Sequence, residues 1–345
     1  MSSSKRIRLT EQIDFKSLPK DLIKKVIDKI TSIKTDSEIF YIFKLVNGRY
    51  KFSCPEKKIS QIIEKKHIVV ADLNDDRITR IYNKLYFYDC KNLIKVNLPK
   101  NLKIIPDRFF YNCTALASII FPENLESIGK EAFFLCTKIK EIYLPKSLKV
   151  LGKACFADCC FEIVKISENI VSIEEKCFYN CQYLRTVNFQ NCIHLNRLGK
   201  YCFYNCYSLI SLTIPDNCFE IEELCFSNCY SLEKIILSNN LFKLGKFAFK
   251  ECSSLKKISS SQFKENKLNL LPKGITYISE GTFCGCSSLT NFIIFQYLKD
   301  RAFICCSNLT KIYYFDKKHF QRSKEIFFNC NEKIKFYMYQ RDIKN

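Results

Sequence analysis

The chain is 345 residues long, carries a formal charge of +20 and is 47% hydrophobic, with 21 cysteines, 30 phenylalanines and no tryptophan. No apolar run reaches the roughly 18 residues of a bilayer-spanning helix, and the apolar content is too high and too evenly spread for a disordered polyelectrolyte. The basic residues are dispersed, lysine outnumbers arginine and no aromatic-basic recognition motif accompanies them, so nucleic acid is not the expected partner. The charge remains available to steer acidic partners or anionic surfaces.

Residues 1–70 lack the repeat that fills the remainder and are expected to form a small helical cap. Ser17 is placed as an N-cap, Pro19 falls in the first turn, and Leu22, Ile23, Val26, Ile27 and Ile30 share one helical face. A second apolar segment, Ile39 to Val46, ends at Asn47-Gly48, and a third, Lys57 to Lys66, carries Ile59, Ile62 and Ile63 at helical spacing. Such a cap would cover the first coil of a stacked array, whose end otherwise exposes apolar surface. Leu18-Pro19-Lys-Asp21-Leu22-Ile-Lys-Lys-Val26, with Asp36 and Leu45-Val46-Asn-Gly-Arg49-Tyr50, also resembles the F-box motif. That resemblance implies a ubiquitin-ligase adaptor as partner, bound through Leu18, Pro19, Leu22 and Val26. The sequence departs from it in having Tyr50 where tryptophan is common and no cysteine before the basic-aromatic end.

From residue 71 onward one pattern dominates. Phe-x-x-Cys recurs eleven times in period, from Phe87/Cys90 to Phe327/Cys330, with most cysteines 22 to 25 residues apart. A period of that length marks a solenoid whose coils bury their apolar residues on one another. Within a coil, Ile119/Phe121 or Leu212/Ile214 alternate as one buried face of a short strand, and proline or serine follows. Gly129, Gly152, Gly199 and Gly245 recur after a second apolar pair, where a sharp turn is expected. Two spacings differ. Cys252 to Cys286 is 34 residues, so the segment around Ser259–Lys267 is expected to bulge, and Cys286 to Cys306 is 20, so one coil is clipped.

The string Phe203-Tyr-Asn-Cys206-Tyr-Ser-Leu209-Ile-Ser-Leu212-Thr-Ile214-Pro215 resembles the BspA-like leucine-rich repeats, and the likeness covers roughly residues 78 to 339. It implies an α/β leucine-rich-repeat solenoid of about eleven coils, with a ladder of short parallel strands on its concave face. The family implies protein binding there, often in cell-surface or host-contact proteins.

The cysteines fall on two repeat positions. Eleven follow the phenylalanines, and Cys155, Cys177, Cys202 and Cys225 take the slot before them that alanine fills at Ala132, Ala248 and Ala302. Periodicity explains both members of a pair such as Cys202/Cys206, so they read as small core residues rather than zinc ligands. The opening Met1-Ser-Ser-Ser-Lys-Arg-Ile-Arg has no apolar signal core, which points to a reducing, cytoplasmic compartment. The histidines, His67, His194 and His319, are scattered, and neither a phosphate loop nor a nucleophile motif appears. No catalytic residue, cofactor or metal is therefore expected. Function falls to the outward row of the strand ladder, Asn97, Ile120, Tyr143, Lys165, Asn188, Thr213, Ile236, Ser259, Ile293 and Tyr313. At about 4.8 Å per rung it spans roughly 45 Å, enough for a protein surface or extended peptide, with the apolar and aromatic members as anchors.

Overall fold

In the computed structural model, residues 87–189, 191–261, 268–316 and 325–338 are described, together with the backbone of the strands Phe43–Val46, Arg49–Phe52 and Val69–Asp72. The period folds into a parallel β-solenoid of about ten turns, each turn having three hydrogen-bonded walls. The first wall is built of strands three to five residues long in successive parallel ladders, Leu93–Asn97 with Ser118–Ile120, then Glu141–Tyr143 through Ser211–Thr213 to Lys257–Ser260, and then Asn291–Ile294 to Lys335–Met338. Neighbouring rungs pair in parallel, Ile142 on Val164 and Leu212 on Ile235, so each central residue points inward above the last. The second wall consists of two-residue strands, in register from Ile104–Ile105 to Lys243–Leu244, then Tyr277–Ile278 on Tyr297–Leu298.

The third wall is made of turns. At Phe110 the amides of Arg108, Phe110 and Asn112 donate to the carbonyls of Lys130, Ala132 and Phe134 one coil on, at 2.8, 2.8 and 2.7 Å. Alternate amides can all face the next coil because the residues two before and two after each phenylalanine take left-handed backbone, with φ of 58° at Arg108 and 57° at Asn112. The following position is mostly Asn or Asp, the side chains that tolerate this region best. Their amides continue the order along the edge: Asn112 donates to Asp89, Asn180 to Asp158, Asn205 to Asn180 and Asn228 to Asn205.

Two columns fill the interior. The eleven repeat phenylalanines stack from Phe87 to Phe327, with centroid steps such as 5.2 Å between Phe178 and Phe203 and 5.3 Å between Phe203 and Phe226. That spacing is imposed by the coil rise, and Phe121, Phe161, Phe189 and Phe292 pack tilted or edge-on against the stack. Beside it, each Phe-x-x-Cys thiol from Cys113 to Cys330 donates to the carbonyl of the preceding coil's phenylalanine, as in Cys136 to Phe110 at 3.2 Å and Cys229 to Phe203 at 3.2 Å. The same carbonyl accepts the turn amide of its own coil's cysteine, Cys113 N to Phe110 O at 3.1 Å. A buried acceptor thus has both lone pairs occupied, which explains a cysteine where alanine would supply the volume alone.

Several expectations change. Among the described residues there is no α-helix, so the α/β class gives way to an all-β solenoid: the turn wall closes each coil with i to i+3 bonds and leaves no chain for a helix. The helical reading of the segment ending at Val46 is corrected as well. Phe43–Val46 pairs antiparallel with Arg49–Phe52, and the sequence between them, Asn47-Gly48, is the pair that most favours a two-residue hairpin connection. The helices expected over residues 17–30 and 57–66, and with them the F-box-like Leu18, Pro19, Leu22 and Val26, lie outside the described residues. The ladder's first strand, Val69–Asp72, straddles the expected boundary between residues 70 and 71 and pairs in parallel with Leu93–Asn97. The repeat glycines serve closeness rather than turning: a Cβ at Gly245 would run into the backbone of Glu222 and Glu223 in the coil beneath.

Neither odd spacing breaks the columns. Phe249 stacks on Phe283 at 5.7 Å across the long coil, and Phe283 on Phe303 at 5.3 Å across the clipped one. The clipped coil passes from Asn291–Ile294 to Tyr297–Leu298 through Phe295 and Gln296, omitting the proline turn that Pro215 to Cys218 makes elsewhere.

Candidate binding face

Alternation on the first wall places two side chains of each three-residue rung outward, one on either side of the inward residue. On the early rungs they stand in solvent: Ile120 is 75% exposed, Tyr143 73% and Ile163 57%. Ile120 and Tyr143 each hold the last position of their rung, Ile120 opposite Asn97 and Tyr143 opposite Lys165, while Ile163 holds the first position of the next rung, opposite Glu141. The Tyr143 hydroxyl donates to Glu141 at 2.6 Å, which holds the ring along its own strand and raises the phenol's pKa. Ile163 was not among the expected anchors. Its signal was the unbroken apolar run Ile163-Val164 ahead of Lys165, where alternation calls for a polar residue. Lys165, Asn188 and Thr213 are exposed, and Asn97 and Tyr313 are half-buried.

The later rungs differ from expectation. Ile236 is 9% exposed, Ile293 2% and Ser259 0%, so none of the three is an open anchor. These residues bracket the long coil, whose chain leaves the ladder after Lys257–Ser260 and re-enters it at Leu270, paired in parallel with Ile293. Asn269 makes this re-entry possible. Its side chain accepts from Ile258 N at 2.7 Å and donates to Lys256 O and Asn291 O at 3.0 Å each, while its own amide donates to Asn291 Oδ1 at 3.0 Å. A side chain here stands in for the backbone of a missing rung.

Outside that face, charge is matched between coils. Arg108 meets Glu131 at 2.6 Å, Lys153 meets Glu175 at 2.7 Å, and Arg197 bridges Glu174 and Glu222 at 2.7 and 3.0 Å. The hydrogen bond from Lys153 holds the Glu175 carboxyl below its ordinary pKa. The cysteines among the described residues are free thiols, and burial pushes the pKa up at repeat positions such as Cys159, Cys181 and Cys206, and to about 12 at Cys136 and Cys218. Cys155 and Cys177 lie 3.4 Å apart, sulfur to sulfur, in the fully buried slot before the phenylalanines. Such thiols are poor nucleophiles and poor ligands. Among the described residues, no group of three or more His, Cys, Asp or Glu is placed to hold a metal ion, and no helix is long and apolar enough to cross a membrane.

Comparison with known proteins agrees with this architecture. A leucine-rich repeat protein from Bacteroides ovatus has a similar structure, with a TM-score of 0.66 and 23% identity over 88% of this chain and 79% of that one. A leucine rich cell surface protein from Faecalibacterium prausnitzii is 20% identical over 79% of this chain and 78% of its own, with a TM-score of 0.42. No curated protein matches the chain. The family model described as BspA type leucine rich repeat region matches residues 79–160, 149–269 and 253–335, the span in which the phenylalanine and cysteine columns run unbroken, and the chain belongs to that family.

Proposed function

We propose that the protein is a non-enzymatic interaction module that binds another protein or an extended peptide on the outward side of its first wall. The observation that carries this reading is the exposure of Ile120, Tyr143 and Ile163 on three consecutive rungs of one wall. Large apolar side chains grouped on a rigid sheet, away from the core, are the usual material of interface anchors. The rungs cannot easily collapse over them, because the spacing of the ladder is fixed by the coils beneath. Within each parallel ladder the strand backbones pair with one another, so recognition falls to the outward side chains rather than to added strands.

Affinity capture tests the reading. The full chain and a Tyr143→Ala, Ile163→Ala variant would each be used to recover proteins from native lysate, with melting curves showing that both are folded. Partners retained by the parent should be lost from the variant. The same partners recovered in equal amount by both would place the working surface elsewhere.

A further inference from the structure

The second half of the first wall carries a different chemistry. In the outward position before each inward residue stand Lys234 and Lys257 on adjacent rungs and, past the re-entry at Asn269 and Leu270, Asn291, Lys311 and Lys335 on the next three. Lys234 pairs directly with Lys257, and Lys311 directly with Lys335. Like charges facing one another across a strand pair at about 4.8 Å repel and weaken the sheet. Lys234, Lys311 and Lys335 also break the practice of the rest of the solenoid, where Lys200 meets Glu223, Lys246 meets Glu280 and Lys256 meets Glu233 from one coil to the next. Among the described residues no carboxylate pairs with Lys234, Lys311 or Lys335, while Lys257 Nζ donates to Leu268 O at 3.4 Å. Asn291 adds a polar side chain at the centre of the row, and Glu233 beside it is already engaged by Lys256.

Resting on the reading of the first wall as the working face, the geometry points to an acidic, extended segment of a partner protein as the occupant of this lysine row. A strand-like peptide presents a side chain on one face about every 6.8 Å. Flexible lysine stems on rungs about 4.8 Å apart can meet such carboxylates without a fixed register, and each pair formed relieves the repulsion along the row. An acidic protein segment fits better than a nucleic acid. The row has no arginine fork for phosphate, and the neighbouring rings, Tyr313 and Tyr337, stack on each other at 5.3 Å instead of standing free for bases. Ile120, Tyr143 and Ile163 farther along the same face suit the apolar part of a protein ligand.

The experiment is fluorescence anisotropy on the full chain, with a labelled peptide of alternating glutamate and valine and, in parallel, a labelled oligo-dT strand. The charge reversals Lys234→Glu with Lys311→Glu would be compared with Lys100→Glu with Lys273→Glu, which change the net charge equally at exposed turns between walls. The expected result is peptide binding that weakens with salt and falls about tenfold or more in the row variant, with little change in the control. Equal loss in both variants, no loss in either, or no peptide binding by the parent overturns the proposal. Tighter binding of oligo-dT through the same lysines overturns the choice of an acidic protein segment. The Tyr143→Ala, Ile163→Ala capture is read separately, so failure of the lysine row and failure of the apolar anchors give different patterns.

Discussion

The regular coils between Cys113 and Cys252 and the long coil between Cys252 and Cys286 keep the same two columns by different means. In the regular coils from Glu141–Tyr143 onward, rungs pair backbone to backbone, and the outward face of the early rungs is left open. In the long coil the Asn269 side chain bonds backbone groups of both neighbouring rungs, and the outward residues around it are buried. Continuity of a solenoid core therefore tolerates extra chain, provided a polar side chain satisfies the backbone groups left over. The face it presents to partners does not tolerate extra chain in the same way.

The comparison can be broken at its strongest point first. Phe203→Ala removes a ring stacked on both sides and should cost roughly 3 to 5 kcal/mol in urea-induced unfolding, since the coils above and below cannot close on the cavity. An unchanged midpoint would mean that the stack is incidental. Asn269→Ala should cost about 3 kcal/mol, because it removes the partner of the buried Ile258 amide and of the part-buried Lys256 and Asn291 carbonyls. Hydrogen exchange would show the loss concentrated at Ile258, with regular coils such as Cys206 to Cys229 unaffected; uniform loss would show that the long coil is not a separate unit. Cys229→Ala should cost about 1 to 2 kcal/mol, for the thiol contact to Phe203 O and the sulfur's packing. Ser259→Ala sharpens the contrast by reversing its sign. The hydroxyl is buried and has no hydrogen-bond partner among the described residues, so its removal should leave the melting temperature unchanged or raise it by the equivalent of ~1 kcal/mol. A clear loss of stability would show that this oxygen is satisfied after all.

Much of the solenoid was legible because its period is carried by bulky, buried residues. Phe203, Cys206, Leu209 and Leu212 occupy repeat positions that only a stacked coil can bury together, and all four are buried. The role of the cysteines was only half legible: their burial follows from periodicity, but the thiol bond to a carbonyl one coil away depends on coil spacing, which no local pattern states. The glycines were misread for a related reason. Gly245 and a turn glycine look alike in sequence, and the left-handed positions went to residues such as Asn228 instead. On the candidate face, Ile120 and Tyr143 followed from alternation, whereas Ile236 and Ile293 stand in the same alternation and are covered. Alternation assigns a side of the sheet; whether other chain lies on that side is a tertiary matter.

The three-walled coil also sets how the molecule would answer a pulling force. Each coil is joined to its two neighbours alone, so tension applied along the stack should peel the array one coil at a time instead of rupturing it whole. A regular coil frees 23 residues, the step from Cys206 to Cys229, or roughly 80 Å of extended chain. The long coil, with 34 residues between its cysteines, would appear as one oversized step, an internal length marker in a single-molecule extension trace.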